Sequence, residues 1–441
     1  MNNPFIPEQF CSALYKGLGR AVLHVRKYGD EQIRKHLLDA CVHVRSYDPQ
    51  IEGSRAEWLL EMVDATSHGD FYREAILDAL EVVEEGAVDA VWSADQLCDF
   101  ALHYARRGHQ RGRELLYQVY RENRFSEADW VAADQLLSLD GLDGLTFMAE
   151  VAGERILAGD RVDQWDAAVP TACEEFGSVQ VLARLQEASA QSLGVSAFLE
   201  QFAEALPRRD KGADVTGIRR KVPSYEVISQ AIDEARWQVG FQFRWFGRHA
   251  SAEELCAIFD RLLGEQELEA ALRCLWVFDS RELPELAPRV FEWLDSDDER
   301  LRTAAASALA NTSDSRVRQA AVDRLEEPSS TTDLAAAIEM LRRNFRTDDA
   351  DLILRCLPND ESISDEAKTR NHSLGSVLLE LAENNADAAL APCLTWVYEK
   401  GPCSRCRTRA IEHLLEWGEL SDKLRDECRF DVVEEIRELV V

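Results

Sequence analysis

The sequence predicts an all-α protein, built as a right-handed superhelical α-solenoid of stacked antiparallel helical hairpins. Three observations predict it. Apolar and small residues recur at the i, i+3, i+4, i+7 spacing of one helix face. Helix-start and helix-stop signals follow one another at intervals of ~12 residues, with short polar turns between them. No run of alternating apolar and polar residues intervenes. With 46% hydrophobic and 30% charged residues over 441 positions, the composition is that of a folded globular chain.

The C-terminal half shows the pattern best. Leu301, Ala304, Ala305, Ala308 and Leu309 form one stripe, and the acidic and hydroxyl residues Asp295, Ser296, Asp297 and Asp298 precede it as a cap region. A second stripe, Val317, Ala320, Ala321 and Leu325, follows a cap region at Thr312 to Asp314 and stops near Glu327, before Pro328. Leu334, Ala337, Ile338 and Leu341 come next, after the cluster Ser329 to Asp333. Helices beginning near Asp298, Thr332, Glu366 and Ser404 are each one hairpin apart, a period of roughly 34 to 38 residues. A single hairpin of this size cannot bury its apolar faces alone, so its neighbours must stack on it. Alanine on the inner face allows close approach of helix axes.

The N-terminal half repeats the theme less regularly. Its stripes run through 18–25, 33–44, 58–63, 72–83, 96–105, 113–120, 127–137, 144–157 and 179–190, with Gly108, Gly112, Gly141 and Gly144 read as turns or helix ends. Between the halves, Arg208 to Lys221 carries six basic and two acidic residues, two glycines and no helical stripe. The expected organisation is a divergent helical-repeat half over 1–207, a basic loop or linker over 208–222, and a more regular repeat half over 223–441. Ser224 is the expected cap of the first helix after the linker.

Residues 282–417 resemble HEAT repeats of the HEAT/armadillo-like family. The resemblance is carried by Glu282-Leu283-Pro284-Glu285-Leu286-Ala287-Pro288, by the acidic turn after Trp293-Leu294, and by an apolar–Arg pair followed by alanines and a leucine. Leu301-Arg302 is such a pair, Val317-Arg318 is another, and Cys406-Arg407 with Ala410, Ile411 and Leu414 repeats it. Pro223-Ser224-Tyr225-Glu226 and the Trp245 to Leu263 region also look like those of bacterial HEAT-like proteins without a settled activity. The resemblance implies a curved helical scaffold that holds another macromolecule; it supplies no catalytic residue.

Charge narrows the partner. Fifty basic against 81 acidic residues give a net charge of -31, and a surface this negative disfavours broad, nonspecific binding to nucleic acid. The sequence lacks an apolar run long enough to span a membrane, and its N-terminus lacks the pattern of a secretory signal, so no membrane association is expected. Eleven cysteines in this length are too dilute for a disulfide framework and fit a reducing cytoplasm.

The expected function is therefore that of a cytoplasmic scaffold or adaptor that binds a protein partner along its helices, with no cofactor and no catalysis. No metalloprotease, nucleophile-elbow, phosphate-loop or dinucleotide motif is present. Two alternatives stand beside it. One is a nucleic-acid-associated role through local basic patches: Arg106, Arg107, Arg111 and Arg113, continuing to Arg121 and Arg124, and Arg208, Arg209, Arg219, Arg220 and Lys221. The other is an enzyme or small-molecule binder near Trp237 to His249, where Trp237, Phe241 and Trp245 recur every fourth residue; buried packing between repeats is the competing reading of that aromatic stripe.

One metal-like spacing is present. Cys403 and Cys406 lie on one helix face with His413, and Cys393 lies on the preceding helix; three thiolates and an imidazole would suit zinc. Against it stands the simpler reading of thiols filling interhelical space, and no bound metal is expected. Cys403, near a helix start beside Arg405 and Arg407, is also a candidate for a stabilised thiolate.

Overall fold

The structure is a computed structural model that describes residues 4–84, 89–125, 128, 130–160, 168–202, 222–234 and 240–441. Among these residues all regular structure is helical, and successive helices pack in pairs. The chain divides into two compact units: Met1–Thr216 with Phe430–Val432, and Gly217–Arg429 with Val433–Val441. Most of the expected basic linker, 208–221, lies outside the described residues.

The first unit contains α1 (Pro7–Lys16), α2 (Arg20–Tyr28), α3 (Arg34–Val42), α4 (Pro49–Glu52), α5 (Ala56–Asp64), α6 (Gly69–Val82), α7 (Ala90–Arg106), α8 (Gln110–Glu122), α9 (Ala133–Asp140), α10 (Leu142–Ala158), α11 (Ala168–Phe176), α12 (Ser178–Ser189) and α13 (Leu193–Phe202). Helices α3, α5, α7 and α9 pack in series, while α6 and α8 lie together against α7. Leu37, Leu59, Leu97, Phe100 and Leu136 are buried there. The polar ties of this unit are individual solutions. Asp30 is buried and accepts from Tyr72 Oη at 2.9 Å and Arg34 Nε at 2.9 Å, with His68 Nδ1 at 3.0 Å. Gln96 Nε2 donates to the carbonyls of Ala40 and Cys41 at 2.9 and 3.0 Å. The unit is completed from far along the chain: Val432 N donates to Gly17 O at 2.9 Å, and Trp58 Nε1 donates to Phe430 O at 2.8 Å.

Two of the glycines read as turns or helix ends lie in the first turn of a helix. Gly112 is in α8 and Gly144 in α10, each facing the backbone of a neighbouring helix, Ala101 O and Leu136 O respectively. The reason is close packing: periodicity registers a missing side chain but cannot tell a turn from a helix crossing. The tightest crossing is between α10 and α13, where a Cβ on Gly153 would lie 1.7 Å from Gly194 O.

The second unit contains α14 (Tyr225–Asp233), α15 (Phe241–His249), α16 (Ala252–Gly264), α17 (Leu268–Val277), α18 (Pro288–Trp293), α19 (Glu299–Ala310), α20 (Ser315–Glu326), α21 (Thr331–Met340), α22 (Asp349–Cys356), α23 (Asp365–Asn385), α24 (Ala391–Lys400), α25 (Ser404–Glu416), α26 (Asp422–Cys428) and α27 (Glu434–Leu439). Two series of alternate helices emerge. Helices α15, α17, α19, α21, α23 and α25 pack each on the next, and α20, α22 and α24 do the same. The sequence reads these starts well: Asp298, Asp314 and Ser330 cap α19, α20 and α21 through side-chain oxygens that accept free backbone N–H groups. Leu301, Ala304, Ala305, Ala308 and Leu309 are all buried.

Four polar ties here share one offset. Arg302 Nε donates to Asp333 at 3.0 Å, Arg318 pairs with Asp349, Arg342 donates to Asn311 Oδ1 at 3.1 Å, and the Cys356 thiol donates to Leu325 O at 3.0 Å; every one spans 31 residues. Asn311, Asn344 and Asn385 close successive repeats, each donating both to a carbonyl of its own helix and to one in the preceding repeat, Phe278, Thr312 and Arg342. A stack of equivalent units produces such a ladder, because one residue of each unit meets the same neighbour every time.

Candidate metal and thiolate site

Helix α25 begins at Ser404 with Cys403 as its N-cap residue, in extended backbone (φ -79°, ψ 123°). Gly401 and Pro402 before it are buried, and Asn371 of α23 donates to Lys400 O at 3.1 Å. These contacts fix the entry to α25 against the middle of α23. Three donor side chains converge there. His372 of α23, Cys403 and Cys406 place one ligand atom each within 4.8 Å of the others, and Cys406 Sγ stands 3.8 Å from His372 Nδ1. Cys406 is buried, at 6% exposure; Cys403 and His372 are half-buried.

The electrostatics separate the two thiols. Hydrogen bonding from the Cys406 thiol, then from the His372 ring, holds the Cys403 sulfur well below the ordinary thiol range, against the opposing effect of burial. Cys406 moves the other way, raised first by Cys403 and then by burial, with Ser376 one turn along α23 partly offsetting this. Cys403 raises the His372 imidazole. The anionic form is thus favoured at Cys403 and the neutral thiol at Cys406, beside an imidazole whose charged form is favoured.

The other expected ligands lie elsewhere. Cys393 is buried with its thiol directed to Ala350 O at 3.8 Å. His413 packs on Trp417, with ring centroids 5.5 Å apart, and faces Glu383 and Glu416. The sequence reading looked for an imidazole along α25 itself and so missed His372. The signal that could have found it is the repeat offset: His372 and Cys403 have the same separation as Arg302–Asp333 and Arg318–Asp349.

The expectation that the chain is not an enzyme is corrected here. A search for contiguous motifs cannot see donors brought together by helix stacking, and this triad has the composition of a metal or thiol centre with catalytic capacity. Outside it, the described residues show no obvious catalytic machinery.

The arginines of the first basic cluster are engaged with their own unit. Arg106 donates to Ser138 Oγ at 2.6 Å, Arg107 makes a two-pronged pair with Asp64, Arg111 meets Glu74, Asp78 and Glu81, and Arg113 meets Asp140 at 2.7 Å. Arg121 lies over the Phe147 ring, 5.0 Å from its centroid, and Arg124 donates to Glu81 O. Together Arg113, Tyr117, Arg121 and Phe147 border an open hollow. Arg208, Arg209, Arg219, Arg220 and Lys221 lie outside the described residues, as does Trp237. Phe241 and Trp245 stack in parallel, Trp245 meets His249 at 4.4 Å between centroids, and Phe243 and Phe246 are buried on the same helix. The described members of the stripe, Phe241 and Trp245, are thus exposed and half-buried, and the core-facing aromatics of α15 are Phe243 and Phe246 beside them.

Among the described residues no helix is long and apolar enough to cross a membrane. Comparison of the chain with family models, with curated proteins and with solved structures finds no match.

Proposed function

We propose that this is a helical-repeat protein that binds a soft divalent metal ion of the zinc class at His372, Cys403 and Cys406, and that its repeats, HEAT-like hairpins of a right-handed superhelix, hold a protein partner in a reducing cytoplasm. The observation that carries the metal reading is the convergence of two sulfurs and one imidazole nitrogen within 4.8 Å, from two helices whose packing sets their approach. Two thiolates and an imidazole favour zinc over hard, oxygen-seeking cations. Three protein ligands leave one tetrahedral position for water or a substrate atom, the arrangement that permits Lewis-acid chemistry. The partner reading is supported by the repeated helix pairs, whose preformed surfaces lower the ordering cost of an extended partner.

The test is a cobalt(II) and zinc(II) titration of reduced, dialysed protein. One equivalent is expected to bind, with a thiolate-to-cobalt charge-transfer band that zinc abolishes. Loss of that band in C403A and C406A, and its weakening in H372A, supports the assignment. A full-strength band in C403A/C406A overturns it. The partner reading is tested by affinity capture on the metal-loaded chain, with retained proteins and nucleic acids both quantified.

A further inference from the structure

The same two cysteines have a geometry that metal binding alone does not use. They are the N-cap and a first-turn residue of α25, so one short segment carries both sulfurs. Their donor atoms already share one neighbourhood, within 4.8 Å, and closing the ~2.05 Å bond of a disulfide requires side-chain rotation of adjacent groups, not a movement of helices. Their access differs: Cys403 is half-buried, whereas Cys406 is at 6% exposure. Nearby thiols do not compete, because Cys393 is directed to Ala350 O and Cys356 to Leu325 O.

We propose that, without metal, Cys403 and Cys406 form a dithiol–disulfide couple that exchanges with an external disulfide, an activity separate from metal binding. Cys403 Sγ, the more accessible sulfur, attacks one sulfur of the substrate disulfide. The Cys403–substrate bond forms, the substrate S–S bond breaks, and the first substrate thiolate leaves. The Cys406 thiol gives its proton to a departing substrate thiolate and attacks the Cys403 sulfur. The second substrate thiolate leaves as the Cys403–Cys406 bond closes. The protein loses two electrons and the substrate disulfide gains them; the Cys406 proton ends on one departing thiolate and solvent protonates the other. The reaction is reversible, and the closed disulfide has lost both sulfur ligands for a metal.

The full chain, reduced and treated with chelator, is the material for the test, and oxidised glutathione is the probe. Intact mass and peptide mapping after alkylation are expected to show a Cys403–Cys406 disulfide as the first product. C406S, unable to resolve, is expected to accumulate a glutathione mixed disulfide on Cys403. C403S is expected to react at least about tenfold more slowly at this segment. Zinc-loaded protein is expected to be protected by at least about tenfold, since a bound thiolate is a poorer nucleophile. Oxidation at other cysteines first, or no Cys403–Cys406 bond in the wild-type chain, overturns the proposal. Circular dichroism of each variant separates loss of exchange from loss of fold. The metal reading fails separately: a chain that closes the disulfide but binds no cobalt retains the exchange activity, and one that binds cobalt but never closes the bond retains only the metal site.

Discussion

The two units solve the same packing problem by different means. In the second, one separation recurs: three arginines and a cysteine each reach a partner 31 residues away. In the first, every tie is local to its own crossing. Asp30 gathers Tyr72, Arg34 and His68, Gln96 reaches two carbonyls, and Gln135 Nε2 bridges Asp95 and Asp99 at 3.1 and 2.7 Å. Regular stacking distributes stability over equivalent contacts, and irregular stacking concentrates it at singular ones. The candidate site belongs to the regular unit and uses its offset, which explains why a lone histidine on α23 meets a cysteine pair on α25.

The largest expected effect breaks the comparison at backbone contacts. Gly153→Ala in the first unit puts a Cβ against Gly194 O, and Gly247→Ala in the second puts one 1.9 Å from Val277 O. Each is expected to cost about 3 kcal/mol or more, because two backbones must separate. The first loss falls on a singular crossing and the second on one step of a series. Calorimetry with hydrogen exchange is therefore expected to show broad loss of protection in the first unit for Gly153→Ala and loss centred on α15 and α17 for Gly247→Ala. Equal spread in both units would remove the distinction.

Next in size is the Arg ladder. Arg318→Ala leaves Asp349, whose side chain is 3% exposed, to the Arg346 backbone N–H, and is expected to cost about 3 kcal/mol. Arg302→Ala acts on the more exposed Asp333, which keeps Ser329 and Ser330, and is expected to cost about 1 kcal/mol. Urea denaturation of the two variants ranks them, and the reverse order would show that burial does not set the strength of the rungs.

Smaller still is a pair of pH effects. Burial, then the Asp99 charge, lifts Asp95 from 3.8 to about 7; burial lifts Glu339 from 4.5 to about 7 against the pull of Arg342 and Ser307. Both folded-state values are raised, so the native state holds protons that the unfolded chain releases. The resulting penalty is absent below the unfolded values, grows as pH rises from about 4 to 7, and is complete above that. Asp95→Asn is expected to stabilise the first unit at pH 8 by an amount on the order of 1 kcal/mol and to flatten its loss of stability between pH 4 and about 7. Glu339→Gln is expected to gain less, since it also gives up its attraction to Arg342. Thermal melts across pH measure both slopes. The smallest effect belongs to Arg111→Ala: three exposed carboxylates surround this side chain, yet a change within about 1 kcal/mol is expected, because surface ion pairs contribute little.

Legibility in the sequence follows the same division. Helices α19 to α21 could be read to within a residue or two because their caps, alanine stripes and Pro328 stop act locally. Ser224 does precede α14, but its side chain makes no capping hydrogen bond, so the start was legible and its cause was not. Gly112 and Gly144 lie at helix ends as read, but their close approach to Ala101 O and Leu136 O was not legible, because a crossing and a turn both favour the absence of a side chain. Two of the three donors of the candidate site were legible in the Cys-x-x-Cys spacing. His372 was not, since its role depends on which helix stacks on which, and only the offset of the Arg–Asp rungs encodes that. His413 was chosen in its place because it shares a helix face with Cys406, a relation visible along one helix but of no use across two.

The segment Phe430–Val432 closes the first unit through Gly17 and Trp58. During synthesis, then, α1 and α5 are made well before Phe430–Val432, the segment that completes their unit. A nick or truncation near Arg429 would be felt at α1 and α5, some four hundred residues upstream, sooner than its position on a linear map suggests.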